Sequence, residues 1–178
     1  SYCYYGMFSG CTSLITAPAS IGTSVTTMAN FACANMFQNC TYLTTAPVLP
    51  ATTLTQYCYA GMFEGCASLR AAPELPATKL ADYCYYRTFQ GCTSLTTAPS
   101  LPATTLAGSC YQSMFNGCSK LNHIKMLATD ISANSCLSNW VNNVSATGTF
   151  VKSKDATWNP DEHRGVNGIP EGWTVETA

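Results

Sequence analysis

Tyr57-Cys58-Tyr59-Ala60-Gly61-Met62-Phe63-Glu64-Gly65-Cys66-Ala67-Ser68-Leu69-Arg70-Ala71-Ala72-Pro73 is the stretch on which the reading of the fold turns. Read 26 residues further on, the chain gives Tyr83-Cys84-Tyr85-Tyr86-Arg87-Thr88-Phe89-Gln90-Gly91-Cys92 in the same phase. Cys40, Cys66, Cys92 and Cys118 are 26 apart, and so are Cys58, Cys84, Cys110 and Cys136. Phe8, Phe37, Phe63, Phe89 and Phe115 keep the period, as do Leu14, Leu43, Leu69, Leu95 and Leu121, and Pro18, Pro47, Pro73 and Pro99. A fixed period in this range marks stacked structural repeats, each too small to bury its own apolar face. Residue 1 enters the cycle partway through, so the chain reads as N-terminally truncated, with a cap or export signal expected upstream.

Within one repeat the sequence suggests an extended half and a helical half. Cys66–Pro73 is sparse in apolar residues and closed by a proline, as suits a short strand. Leu75–Leu80 reads as a turn, with Thr78 as a helix cap. Cys58, Met62 and Cys66 are spaced by four, and Tyr59 and Phe63 likewise, which predicts one face of a short helix ended by Gly65. Parallel strands stack about 4.8 Å apart and packed helices 8–10 Å apart. The expected fold class is therefore an α/β repeat solenoid: a curved arc with short parallel strands on the concave face and short helices on the convex face.

Composition narrows the function. The chain has 178 residues, 47% of them hydrophobic but only 10% charged. Eight Lys/Arg against nine Asp/Glu give a net charge of −1, which argues against a phosphate-tracking nucleic-acid binder. No apolar run approaches the roughly 20 residues needed to span a bilayer, and no signal peptide lies in this chain. The two histidines, His123 and His163, leave little for metal or acid–base chemistry. There is no Cys-x-x-Cys ligand knuckle, no phosphate loop and no Gly-x-Ser-x-Gly. Hence no enzyme activity, metal or cofactor is expected. With helices at 8–10 Å, cysteines within or between repeats stand too far apart for most disulfides. The eleven cysteines are accordingly expected as reduced, buried ladders.

The repeated Met-Phe-x-Gly-Cys-x-Ser-Leu, as at 7–14 and 62–69, resembles the BspA-type (Treponema-type) leucine-rich repeats of bacterial surface proteins. Asn39 stands in the place of the glycine and Thr88 in that of the methionine. Thr26-Thr27-Met28-Ala29-Asn30-Phe31 looks like a related subtype. The likeness covers residues 1–144 and departs from the common form in a lengthened helical half. It implies a curved leucine-rich-repeat arc displayed outside the cell, on the cell surface or secreted, and used in adhesion to host proteins or other bacteria. The family assigns no activity to fixed motif residues.

After Leu121 the pattern frays. Trp140, Val141 and Val144 keep the Met, Phe and Cys phases, whereas the tail from Gly148 shows no repeat. Residues 1–127 are thus expected as the repeat array, and 128–178 as a degenerate last repeat plus a small C-terminal β cap around Phe150 and Val175. The cap is acidic, with six of the nine acidic residues in 128–178. An acidic cap covers the open core edge and discourages end-to-end stacking. Asp161-Glu162-His163 reads as a solvated turn.

Two surfaces could bind. The tyrosine columns (Tyr4, Tyr59, Tyr85, Tyr111, with Tyr2, Tyr57 and Tyr83 beside them and Tyr5 and Tyr86 on the other flank) read first as a stack shielding the helices and second as platforms for a sugar or protein. The concave face is the usual recognition surface of repeat arrays. Around the leucine column its candidate ligand-binding residues are Tyr42, Arg70, Thr96, Lys120, Asn122 and His123. The expectation is a monomeric, non-enzymatic adhesion protein for a host extracellular protein or glycan; the alternative is a structural spacer.

Overall fold

The computed structural model describes residues 2–21 and 26–178. Residues 57–66 form no helix. Tyr57, Gly61 and Gly65 take left-handed conformations with φ of 56°, 60° and 74°. A left-handed residue at every fourth position turns the segment into a run of overlapping β-turns. Cys58, Ala60, Met62, Glu64 and Cys66 donate their N–H groups to carbonyls three residues back. The intervening N–H groups of Tyr57, Tyr59, Gly61, Phe63 and Gly65 donate sideways to the next repeat, reaching Asp82, Cys84, Tyr86, Thr88 and Gln90. Each lateral bond spans 25 residues, so the chain coils once per repeat. The same arrangement recurs with left-handed Phe31, Asn35 and Asn39, and with Tyr83, Arg87 and Gly91.

The expected α/β arc with convex helices is therefore corrected. The spacing of four that suggested a helix is the period of this turn run, in which Cys58/Tyr59, Met62/Phe63 and Cys66 point inward. A helix would also have carried Gly61 in its interior at about 1 kcal/mol, among tyrosines, phenylalanines and cysteines that favour it weakly. Lateral bonding brings neighbouring coils close: the stacked rings Phe37–Phe63, Phe63–Phe89 and Phe89–Phe115 lie 5.7, 5.5 and 5.8 Å apart, within 8° of parallel. The turn wall thus repeats at nearly the strand spacing. The mismatch from which the arc was derived is absent.

The extended half is also sparser than expected. Most of it pairs through isolated parallel bridges, among them Thr16 with Thr45 and Thr97 with His123. Thr78 caps no helix; its N–H donates to Thr52 O at 3.2 Å. Among the described residues only three strands form, β1 (His123–Met126), β2 (Thr149–Lys152) and β3 (Thr174–Thr177), making one parallel sheet in that order. Its register pairs His123 with Thr149 and Thr149 with Thr174. The tail that looked free of repeats therefore adds rungs to the same ladder, 26 and 25 residues apart. Ile124 and Phe150 are fully buried as stacked partners.

Residues 128–145 hold no helix either: Ser135, Asn139 and Asn143 are left-handed, as in the preceding coils. Trp140 is fully buried beyond Phe115, and its indole N–H donates to Gly168 O at 2.7 Å. Trp158 and Trp173 donate likewise to Ala128 O and Ser145 O, tying the tail down coil by coil. Asp161-Glu162-His163 falls at a one-turn 3-10 helix, Pro160–Glu162, capped by the Asn159 side chain.

Candidate functional site

Leu43, Leu69, Leu95 and Leu121 are fully buried, which turns the residues beside them outward. Thr44, Arg70, Thr96 and Asn122 occupy one position on four successive coils, all exposed, and Tyr42 and Lys120 stand exposed one residue before the leucine. The fold thus sets Arg70, Thr96 and Asn122 in line along the stack, with Tyr42 and Lys120 in the neighbouring row, three coils apart. These residues form a file and do not converge on a point. His123 opens β1 and is half-buried, and its Nδ1 has no hydrogen-bond partner.

The ladder along this wall is interrupted at the third coil. Thr44 N–H reaches Ile15 O at 2.8 Å, and Asn122 N–H reaches Thr96 O at 2.9 Å. Between them, the backbone N–H groups of Arg70, Ala71, Thr96 and Thr97 are bonded to no neighbouring coil. Arg70-Ala71-Ala72 replaces the Thr-Thr-Ala of the adjacent coils, and β-branched threonine holds an extended backbone better than alanine. The break leaves a depression of about 270 Å³ lined by Arg70, Glu74, Thr96, Thr97 and Ser100. A guanidinium and free backbone N–H groups there form a donor-rich patch beside one carboxylate.

The cysteines serve the core. Cys66 Sγ donates to Phe37 O at 3.1 Å, and Cys40, Cys92 and Cys118 repeat the bond to Phe8, Phe63 and Phe89. All eleven are free thiols; Cys3 and Cys11 are exposed and the others buried. Burial pushes Cys33, Cys58, Cys66, Cys110 and Cys118 up to about 12, so thiolate, the nucleophilic and metal-binding form, is scarce there. Among the described residues no three His, Cys, Asp or Glu side chains gather as a metal-ligand group. No helix in them is long and apolar enough to cross a membrane.

Six of the ten tyrosines form two ladders. Tyr59, Tyr85 and Tyr111 are buried and stack at 6.0 and 5.9 Å. Tyr2, Phe31, Tyr57 and Tyr83 stack along the surface at 5.0, 4.7 and 4.6 Å. Beside the surface ladder, Tyr5, Asn35, Gln38, Glu64, Tyr86 and Arg87 gather around a second cavity that the sequence reading missed. Its signal was present: Ala34 and Ala60 fall in the column that holds Tyr5 and Tyr86. A scan against protein-family models, a search of curated proteins and a search of solved structures each give no match to this chain.

Proposed function

We propose that this is a non-enzymatic binding protein of a bacterial surface or secretome, adhering to a host extracellular protein or glycan through the exposed file on its strand side. The observation that carries the reading is the interrupted ladder at Arg70–Ala71, where unpaired backbone donors and a guanidinium sit in the middle of a file of exposed polar side chains. A repeat stack presents such groups at one coil spacing, so many shallow contacts add along its length. The Met-Phe-x-Gly-Cys-x-Ser-Leu signature, in its resemblance to BspA-type surface repeats, supports an extracellular setting. The low charge and the Ser/Thr-rich exterior suit weak multivalent contacts better than a tight interface anchored by buried aromatic side chains.

The test is a binding screen of the purified chain against extracellular matrix proteins and glycan arrays, with an Arg70→Ala/Lys120→Ala variant alongside. Capture that weakens at least tenfold in the variant supports adhesion through this file. Wild-type protein that captures nothing, with its fold verified by circular dichroism, favours the spacer.

A further inference from the structure

On the turn wall, one outward column reads Tyr5, Ala34, Ala60, Tyr86 over four successive coils. Two alanines between two tyrosines leave a notch two coils wide, with a volume of about 230 Å³. Ala34 and Ala60 are its buried floor, and the ring edges of Phe31 and Tyr57 form one side. Tyr5 and Tyr86 close its two ends. Their rings stand edge-on, at 64° and 80°, to Tyr2 and Tyr83 of their own coils, the end rings of the surface ladder.

The remaining side is polar and held in place. Asn35 Nδ2 donates to Tyr5 Oη at 3.3 Å, and Gln38 Nε2 donates to Glu64 Oε2 at 3.0 Å. Arg87 lies over the Tyr86 ring, its guanidinium carbon 4.8 Å from the centroid. Each group keeps donors or lone pairs free: the amide oxygens, the second Glu64 oxygen, the guanidinium edges and the phenol hydroxyls. Gly61 is required here, since a Cβ at its left-handed position would run into Asn35 Oδ1.

We propose that this notch binds a neutral oligosaccharide, a function separate from the strand-side file. Its one carboxylate and one guanidinium cancel in charge, and its donors and acceptors are mixed, as a polyhydroxylated ligand requires. Aromatic rings accept the C–H faces of a pyranose while amides and carboxylates take its hydroxyls. An extended peptide is poorly served: the N–H groups of Ala60 and Gly61 are already bonded to Tyr57 O and Tyr86 O, leaving no sheet edge. The alanine floor also offers no pocket for an anchoring side chain.

The experiment is isothermal titration of the full chain with neutral gluco-, xylo-, manno- and N-acetylglucosamine tetrasaccharides, beside Ala60→Tyr and Tyr86→Ala variants. Ala60→Tyr fills the notch with the residue the next coil already carries, and circular dichroism establishes that both variants fold. The proposal expects at least one saccharide to bind, with affinity falling tenfold or more in each variant. It is overturned if no saccharide binds the wild type at about 10 mM, a level at which even millimolar affinity saturates. It is equally overturned if binding survives Ala60→Tyr. Binding lost instead in Arg70→Ala/Lys120→Ala would place the sugar on the strand-side file, refuting the notch while keeping adhesion.

Discussion

Cys66 Sγ donates to the carbonyl of Phe37, one coil back, at 3.1 Å, and this bond recurs wherever a cysteine of that column has a coil before it. The thiol is at once a small core residue and a vertical clip between coils. Cys11 has no such partner and stands exposed together with Cys3. Iodoacetamide at pH 8 is therefore expected to modify Cys3 and Cys11 quickly and the nine buried thiols only on unfolding. Mass spectrometry of native and urea-treated protein checks this; rapid native labelling of Cys66 or Cys92 would refute the ladder.

The same burial fixes the response to alkali. Thiols ordinarily titrating near 9 are pushed up to about 12 at Cys33, Cys58, Cys66, Cys110 and Cys118. Tyr57, Tyr59, Tyr85 and Tyr111 are raised as well, chiefly by burial. Above pH 9 the unfolded chain releases thiol protons that the folded chain retains, so stability falls as pH rises. It is present in full below pH 9 and is lost between pH 9 and 12. Each thiol contributes up to about 1.4 kcal/mol per pH unit across that window. Tm measured from pH 7 to 11 is expected to be flat to about 9 and then to drop steeply. A flat profile to pH 11 would contradict the buried-thiol core.

Thr88 interrupts the methionine column, yet it is fully buried, and its hydroxyl donates to Tyr59 O at 3.0 Å. On hydrophobicity alone Thr88→Val would stabilise. The lost hydrogen bond instead predicts a cost of about 1 kcal/mol, because Tyr59 O keeps only the Met62 N–H. Urea unfolding of the variant gives the sign directly.

How much of this was legible in the sequence follows from what kind of signal each feature leaves. The columns of Phe63, Leu69 and Cys66 announce a stack because every copy needs the same apolar residue facing the same neighbour. The path of the backbone between those columns was misread. A spacing of four at Cys58, Met62 and Cys66 fits both a helix and a run of turns, and only backbone φ separates them. Gly61, Gly65, Asn35 and Asn39 hinted at the turns, since glycine and asparagine tolerate left-handed conformations. The continued ladder at Thr149 and Thr174 was hidden because a strand register is a spacing without a motif. The exposure of Arg70 and Thr96 was legible from their place beside a buried leucine. The Tyr5–Tyr86 notch was overlooked because it is made by what Ala34 and Ala60 lack.

Gly61 separates the helix from the turn run by the sign of one measurement. In a helix interior, Gly61→Ala would stabilise by about 1 kcal/mol. At its φ of 60°, an added Cβ is strained and runs into the Asn35 side chain. The variant is expected to lose about 1–2 kcal/mol. Chemical denaturation of Gly61→Ala beside the wild type gives the sign directly.

The two ends of the stack are chemically unlike. At the far end, lateral N–H groups are taken up by the tail: Asn139 N–H donates to Asn167 Oδ1 at 2.6 Å, and Val141 N–H to Val166 O at 3.3 Å. At the near end, the N–H groups of Tyr2, Tyr4, Gly6, Phe8 and Gly10 all donate into the second coil. The carbonyls of Cys3, Tyr5, Met7 and Ser9 accept from no described residue, and Tyr4 and Met7 are exposed there. Two such edges face to face set acceptors against acceptors, so this edge is expected to give no head-to-head dimer, and sedimentation should show a monomer at tens of micromolar. A coil that supplies alternate N–H donors fits the edge. Fusing a copy of residues 83–108 directly ahead of Tyr2 should extend the Phe and Cys ladders and bury Met7, Phe8 and Cys11. The added coil makes its four hydrogen bonds to these carbonyls and covers the exposed apolar edge only if the register is kept. The fusion is expected to raise Tm and to protect Cys11 from iodoacetamide. A fusion that leaves Cys11 as reactive as before would show that the edge does not template a coil.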